Sequence, residues 1–310
     1  MEKKNNRKIL WKVIAAFALI LVLVGCGNGS DSDTDGETAS KEDLTIRVGS
    51  KDFTEGLILS ELYSLALEEA GYNVERAFNL GSPVIHGALT NDEIDMYPEY
   101  TGTGLLSVLQ LPMESDPEAV YETVKTEYEE QFDLVWLDYS EVNNSQGLVI
   151  TTEKSEELGI KTISDLQENA SEINFASQGE FDVREDGIPG LEEVYGEFDW
   201  NSSAIYDNSL KYQVLSNGEA DVAPAYTTEG QLVQDEFTLL EDDQQFWPPY
   251  NAAPVSHAAL VEEHPEIAEV LNNLSAQLNS ENITELNARV DIEHEEYEDV
   301  AQEFFDSLDR

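Results

Sequence analysis

Three short segments set an aromatic ring beside proline: Tyr97-Pro-Glu-Tyr100, Ala223-Pro-Ala-Tyr226 and Trp247-Pro-Pro-Tyr250. Tyrosine faces gathered in one cleft attract a cation that cannot donate hydrogen bonds, because the negative face of each ring meets the positive charge. A quaternary ammonium is such a cation. The competing reading makes these tyrosines ordinary core or surface aromatics. Signs of catalysis are missing. His86, His257, His264 and His294 have no metal-ligand spacing to one another or to the single Cys26. The chain has no Gly-x-Ser-x-Gly elbow, P-loop or Gly-x-Gly-x-x-Gly fingerprint. With 65 Asp and Glu residues, no one carboxylate pair is informative. Neither cofactor nor metal is expected.

The elements that must position these rings alternate strand and helix. Strands are expected at 44–48, 73–79, 94–97, 134–137 and 147–151, then at 173–176, 204–206 and 220–223. Residues 258–261 read as a strand returning to the first set. Thr54 can cap a helix that runs to Ala70 and ends at Gly71. Ser82-Pro83 opens another, and helices are expected near 101–110, 117–131, 188–195 and 210–215. Three more close the chain. Repeated βα units predict an α/β fold with mainly parallel sheets. Within it, Asn91-Asp-Glu-Ile-Asp-Met-Tyr-Pro-Glu-Tyr-Thr-Gly-Thr-Gly104 matches Asn217-Gly-Glu-Ala-Asp-Val-Ala-Pro-Ala-Tyr-Thr-Thr-Glu-Gly230 at seven of fourteen positions. Each copy is a turn, a short strand, a proline and a tyrosine at the strand's end. Ligands of open α/β sheets bind beyond the carboxyl ends of strands. The simplest geometry is two lobes facing across a cleft, each presenting one tyrosine.

The chain has 310 residues, with 16 Lys and Arg against 65 Asp and Glu, a formal net charge of −49. Such acidity excludes a nucleic-acid binder, which needs a basic face, and a polybasic membrane patch. It does not imply disorder, since 13 Tyr, 11 Phe and 4 Trp can build cores. An acid-coated surface suits high salt, where self-repulsion is screened. Five of the basic residues (Lys3, Lys4, Arg7, Lys8 and Lys12) precede the apolar run 13–24. This is the pattern of a secretory signal. Leu23-Val24-Gly25-Cys26 resembles the lipobox of lipoproteins, which implies cleavage before Cys26 and a lipid on it. Removing residues 1–25 takes away five basic residues and one acidic, so eleven basic and 64 acidic residues remain. Residues 26–43 read as an acidic flexible tether. Its Asp31-Ser-Asp33-Thr-Asp35-Gly36, with Glu42, has EF-hand loop spacing without the flanking helices.

One ordered set of motifs remains: Gly49-Ser-Lys-Asp-Phe-Thr-Glu55, Asp95-Met-Tyr-Pro-Glu-Tyr-Thr-Gly-Thr103, Val135-Trp-Leu137 with Asn143-Asn144, Arg184-Glu-Asp-Gly187, Ala225-Tyr-Thr-Thr-Glu-Gly230, and Pro248-Pro-Tyr250 with Ala253-Pro254. This set resembles the substrate-binding lipoproteins of glycine betaine/choline/carnitine-type (osmoprotectant) ABC transporters. The resemblance covers nearly the whole body from Leu44. It implies a two-lobed, periplasmic-binding-protein-like (type II) fold with a ligand cleft between the lobes. It also implies an aromatic box of four tyrosines, of which Tyr100, Tyr226 and Tyr250 match. The fourth falls just after Asn143-Asn144-Ser145, where this chain has Gln146. Tyr139 or Tyr206 then fills the gap, or the box has three walls; Tyr97 is a further candidate. Thr103 sits where members touch the ligand's polar tail. Of the basic residues left in the mature chain, Lys51 and Arg184 fall in ligand-facing motifs, Lys51 as a point charge and Arg184 as a fork for a carboxylate.

The organisation expected is a signal peptide at 1–25, a tether at 26–43, lobe 1 at 44–145 plus 254–310, and lobe 2 at 146–253. Two crossings near 145 and 253 form the hinge. The function implied is capture of glycine betaine or a related quaternary ammonium solute outside the membrane and delivery to an ABC permease. Carnitine, choline, ectoine or proline on the same fold is the nearest alternative. A two-lobed α/β enzyme is the other.

Overall fold

In the computed structural model, the described residues are Lys41 and 44–308 apart from Glu180. Cys26, the signal, the EF-hand-like run and the rest of the tether save Lys41 lie outside them. The first sheet holds β1 (Thr45–Lys51), β2 (Asn73–Leu80), β3 (Met96–Tyr100), β4 (Leu134–Trp136) and β10 (Ala252–His257), in the order β2-β1-β3-β10-β4. The second holds β5 (Gln146–Thr151), β6 (Asn174–Ser177), β7 (Ser202–Ile205), β8 (Val222–Tyr226) and β9 (Phe237–Leu239), in the order β7-β6-β8-β5-β9. The two orders superpose strand for strand. In each sheet four strands run in one direction, and one strand runs against them beside the tyrosine-ending strand: β10 between β3 and β4, and β5 between β8 and β9. All described residues belong to one compact unit, Ala39–Arg310.

Alternation along the strands explains the layers. Leu148 and Ile150 of β5 enter one buried cluster with Phe175 and Val222, whereas Val149 between them enters another with Ala223 and Phe237. Ile46 and Val48 of β1 pack on the helix Thr54–Glu69 through Ile58 and Leu62. The opposite side of the first sheet is filled by Ile85, Tyr97, Tyr128 and Trp136.

The structure corrects two local expectations. Residues 258–261 are not a strand: they lie in the helix Ala258–Glu263, and the returning strand is Ala252–His257 just before it. The two prolines obscure the strand pattern there, because Pro254 pairs directly with Pro98. Ala252 and Ala253 therefore already stand in the first sheet, ahead of the expected crossing. Thr54 does not cap its helix. Phe53 takes the cap position in an extended conformation, and the Thr54 hydroxyl bonds to Asp291 Oδ1 at 2.5 Å. The expected helix at 101–110 begins as Thr101–Thr103 and continues with π geometry over Gly104–Val108.

Candidate functional site

Tyr100 is the last residue of β3 and faces Ala252, the first of β10. Tyr226 is the last of β8 and faces Gln146, the first of β5. Each tyrosine thus stands where a crossing strand starts, so the repeat places both beside the hinge. The two crossings lie together. Asn143 bridges Asn251, Asn143 Oδ1 accepts from the Tyr250 amide at 2.7 Å, and the Asn144 amide donates to the Tyr250 carbonyl at 3.1 Å. Tyr250 is thereby fixed to the hinge, with its ring against Gly102.

These residues line a cleft of about 540 Å³ that also takes in Lys51, Phe53, Glu55, Thr103, Asn144, Gln146 and Arg184. Tyr100 is buried, and its hydroxyl donates to Glu55 Oε1 at 2.7 Å. Burial lifts the Tyr100 phenol well above its usual range, and the Tyr250 phenol to about 12. Tyr226 is 44% exposed and is the most open of the three rings. Phe53, an aromatic not singled out from the sequence, also lines the cleft. Its ring centroid lies 6.1 Å from that of Tyr100. Its signal was its position just after the carboxyl end of β1, where α/β ligands bind.

Other expected residues fall differently. Tyr97 is fully buried in the first lobe's core, where its hydroxyl donates to Glu99 at 3.0 Å, and it does not line the cleft. Tyr139 packs on Tyr121 with centroids 4.8 Å apart, and Tyr206 packs beneath the second sheet, so neither fills the place at Gln146. Gln146 itself lines the cleft, with Nε2 3.4 Å from Asp186 Oδ2. None of the four histidines lines the cleft, and no group of three or more potential metal ligands occurs among the described residues.

The cations of the cleft are paired. Lys51, only 2% exposed, forms an ion pair with buried Glu99 and lies 5.0 Å from the centre of the Tyr100 ring. Its charge is committed inside the protein, because pulling it from Glu99 would leave a buried carboxylate without a counter-charge. Lys51 is thus a support under Tyr100 rather than the waiting point charge expected of it. Lobe 2 repeats the device with other residues: Lys211 pairs with Glu229 and lies 6.0 Å from the centre of Tyr226. Arg184 is held by Asp186, with Nε 2.7 Å from Oδ1 and a second bond from Nη2. That fork raises the already high guanidinium pKa. Glu55, at the junction of the lobes, accepts from Tyr100, from Asn144 at 3.1 Å and from Asn287 at 3.1 Å. Burial raises the pKa of its carboxyl, and the hydrogen bonds oppose that rise.

Two lobes with matching sheets, crossed twice by the chain and open to a ligand-sized cleft, have the architecture of type II periplasmic binding proteins. Residues 44–307 match the family OpuAC, the substrate-binding domain of ABC-type glycine betaine transport systems, and the chain belongs to that family. The glycine-betaine-binding protein of Pseudomonas aeruginosa is 35% identical over 270 residues, which cover 84% of this chain and 86% of the relative. The carnitine transport binding protein OpuCC of Listeria monocytogenes is 30% identical, covering 84% and 85%. The ergothioneine transport permease/ergothioneine binding protein EgtU of Helicobacter pylori is 31% identical, covering 86% of this chain but 48% of EgtU, so this chain spans about half its length. Among solved structures, a glycine betaine/carnitine/choline ABC transporter protein superposes with TM-score 0.80 at 27% identity, over 84% of this chain and 97% of that one. Such proteins are the extracytoplasmic substrate-binding parts of ABC importers and are not enzymes. No helix among the described residues is long and apolar enough to cross a membrane.

Proposed function

We propose that this protein captures glycine betaine or a related quaternary ammonium compatible solute and delivers it to an ABC permease. The observation that carries the reading is the convergence of Tyr100, Tyr226, Tyr250 and Phe53, from four separate segments, on one cleft. Ring faces hold a methylated ammonium that offers no hydrogen bond. Thr103 meets the ligand's polar tail, and Arg184, once it leaves Asp186, is the fork for a carboxylate. Closure of the lobes around the ligand about the crossings at 143–146 and 250–252 presents the closed form to the permease. Cys26 carries a lipid that holds the protein on the outer face of the cytoplasmic membrane. No chemistry is performed on the ligand.

A thermal-shift and calorimetry panel of glycine betaine, choline, carnitine, ectoine and proline tests this. Stabilisation by the trimethylammonium compounds is expected. Stabilisation by ectoine or proline alone would sink the cation box. Cys26→Ser should move the protein from the membrane fraction to the medium.

A further inference from the structure

The two cations that line the cleft already face carboxylates: Lys51 is buried against Glu99, and Arg184 grips Asp186 with both edges of its fork. Of the carboxylates that line the cleft, Glu229 is likewise paired, with Lys211, but Glu55 and Asp291 are not. Glu55 takes its hydrogen bonds from neutral donors, the Tyr100 hydroxyl and the amides of Asn144 and Asn287. Asp291, also at the cleft, bonds the neutral Thr54 hydroxyl. Among the described residues, neither forms an ion pair. A ligand's ammonium therefore enters a field that attracts it through rings and carboxylates together. A ligand's carboxylate enters a field that opposes it, and must first take Arg184 from Asp186. Asp186 is well secured. Its carbonyl accepts from Trp247 Nε1 at 2.8 Å, and Gln146 Nε2 reaches its Oδ2 at 3.4 Å. Gln146, which stands where the box would have another wall, thus adds to the hold on the carboxylate that occupies Arg184.

We infer that the cleft ranks quaternary ammonium ligands by net charge, with Asp186 and Glu55 as specificity-determining residues that favour a hydroxyl-ended cation such as choline over a zwitterion such as glycine betaine. This rests on the reading of the cleft as a quaternary ammonium site. Calorimetric titration of the purified protein with choline and with glycine betaine in one buffer tests it. Choline should bind about tenfold more tightly. Asp186→Asn should release Arg184 and strengthen betaine while choline weakens, shifting the ratio toward betaine by about tenfold or more. Glu55→Gln is the second arm and should weaken choline at least about fivefold, with a smaller change for betaine. Tighter betaine binding by the unmodified protein would overturn the charge ranking alone. Equal shifts for both ligands in the two variants would also overturn it. Failure of both ligands to bind would overturn the cation box, and this inference with it.

Discussion

Tyr250 lies so close to Gly102 that a Cβ added there would stand 2.7 Å from its Cε1 and 2.8 Å from its Cδ1. Gly102 is therefore the residue that lets this ring seat. Gly102→Ala should push Tyr250 out of place and weaken ligand binding at least tenfold, about 1.4 kcal/mol; unchanged affinity would show that the ring has another resting place. Tyr226, the most exposed wall, contributes through its face. Tyr226→Ala should cost at least about 1–2 kcal/mol of binding, and calorimetry reading no loss would count against the box. The two lining cations separate by burial. Arg184→Ala should weaken betaine far more than choline, which has no carboxylate, because a half-exposed fork can turn to a ligand. Lys51→Met should instead lower folding stability by about 3–5 kcal/mol by stranding Glu99, read by denaturant unfolding. Selective loss of betaine affinity with unchanged stability would restore Lys51 as a ligand contact.

At the scale of elements, the repeat sets matched backbone as well as matched side chains. Asp92 and Gly218, at the same repeat position, both have positive φ, 58° and 70°, so one left-handed turn leads into each tyrosine strand. The closing glycines also match. A Cβ on Gly104 would meet Trp136 at 2.8 Å, and one on Gly230 would meet the Ala288 backbone at 2.7 Å. Gly230 belongs to the tyrosine-bearing repeat of lobe 2, and Ala288 to the lobe 1 helix Ser280–Asp291. The same loop is held there by Asn287 Nδ2, which donates to the Thr228 carbonyl at 2.8 Å. Gly230→Ala should therefore separate the lobes at this contact and weaken binding while each core stays folded. A change in scattering radius without loss of helical signal is the expected result, and an unchanged radius would deny the contact that role. Far from the cleft, Asp116 caps Pro117–Phe132 by accepting from the Ala119 amide at 2.8 Å. Its removal should cost about 1 kcal/mol of stability and no affinity.

Across the whole molecule, 65 acidic residues stand against 16 basic ones. Most of this charge can be screened, since the Debye length falls to about 3 Å in molar salt. The melting temperature should rise steeply from low salt to molar potassium chloride; a flat response would mean that acidic repulsion does not limit this fold. Screening reaches the buried Lys51–Glu99 pair far less than the surface, so cleft geometry should persist across the same range.

Much of this was legible in the sequence because it rests on local pattern. Apolar alternation marks the strands, the doubled Asn-to-Gly motif marks two like halves, and the order of motifs along 44–254 marks the family. The tyrosines at strand ends follow from those patterns, since the end of a strand is a position along the chain. Pairing across the chain is not. Nothing near Lys51 in sequence announces Glu99, 48 residues on, and nothing near Tyr250 announces Gly102. Phe53 joined the cleft by the way its helix starts, and Tyr97 left it by the strand's alternation, which turns neighbouring side chains to opposite faces. Residue types and spacing determined that a cation-binding cleft should exist between two α/β lobes. Only tertiary contacts decided which charges were left for a ligand, because ion pairs form between atoms brought close in space, whatever their separation along the chain.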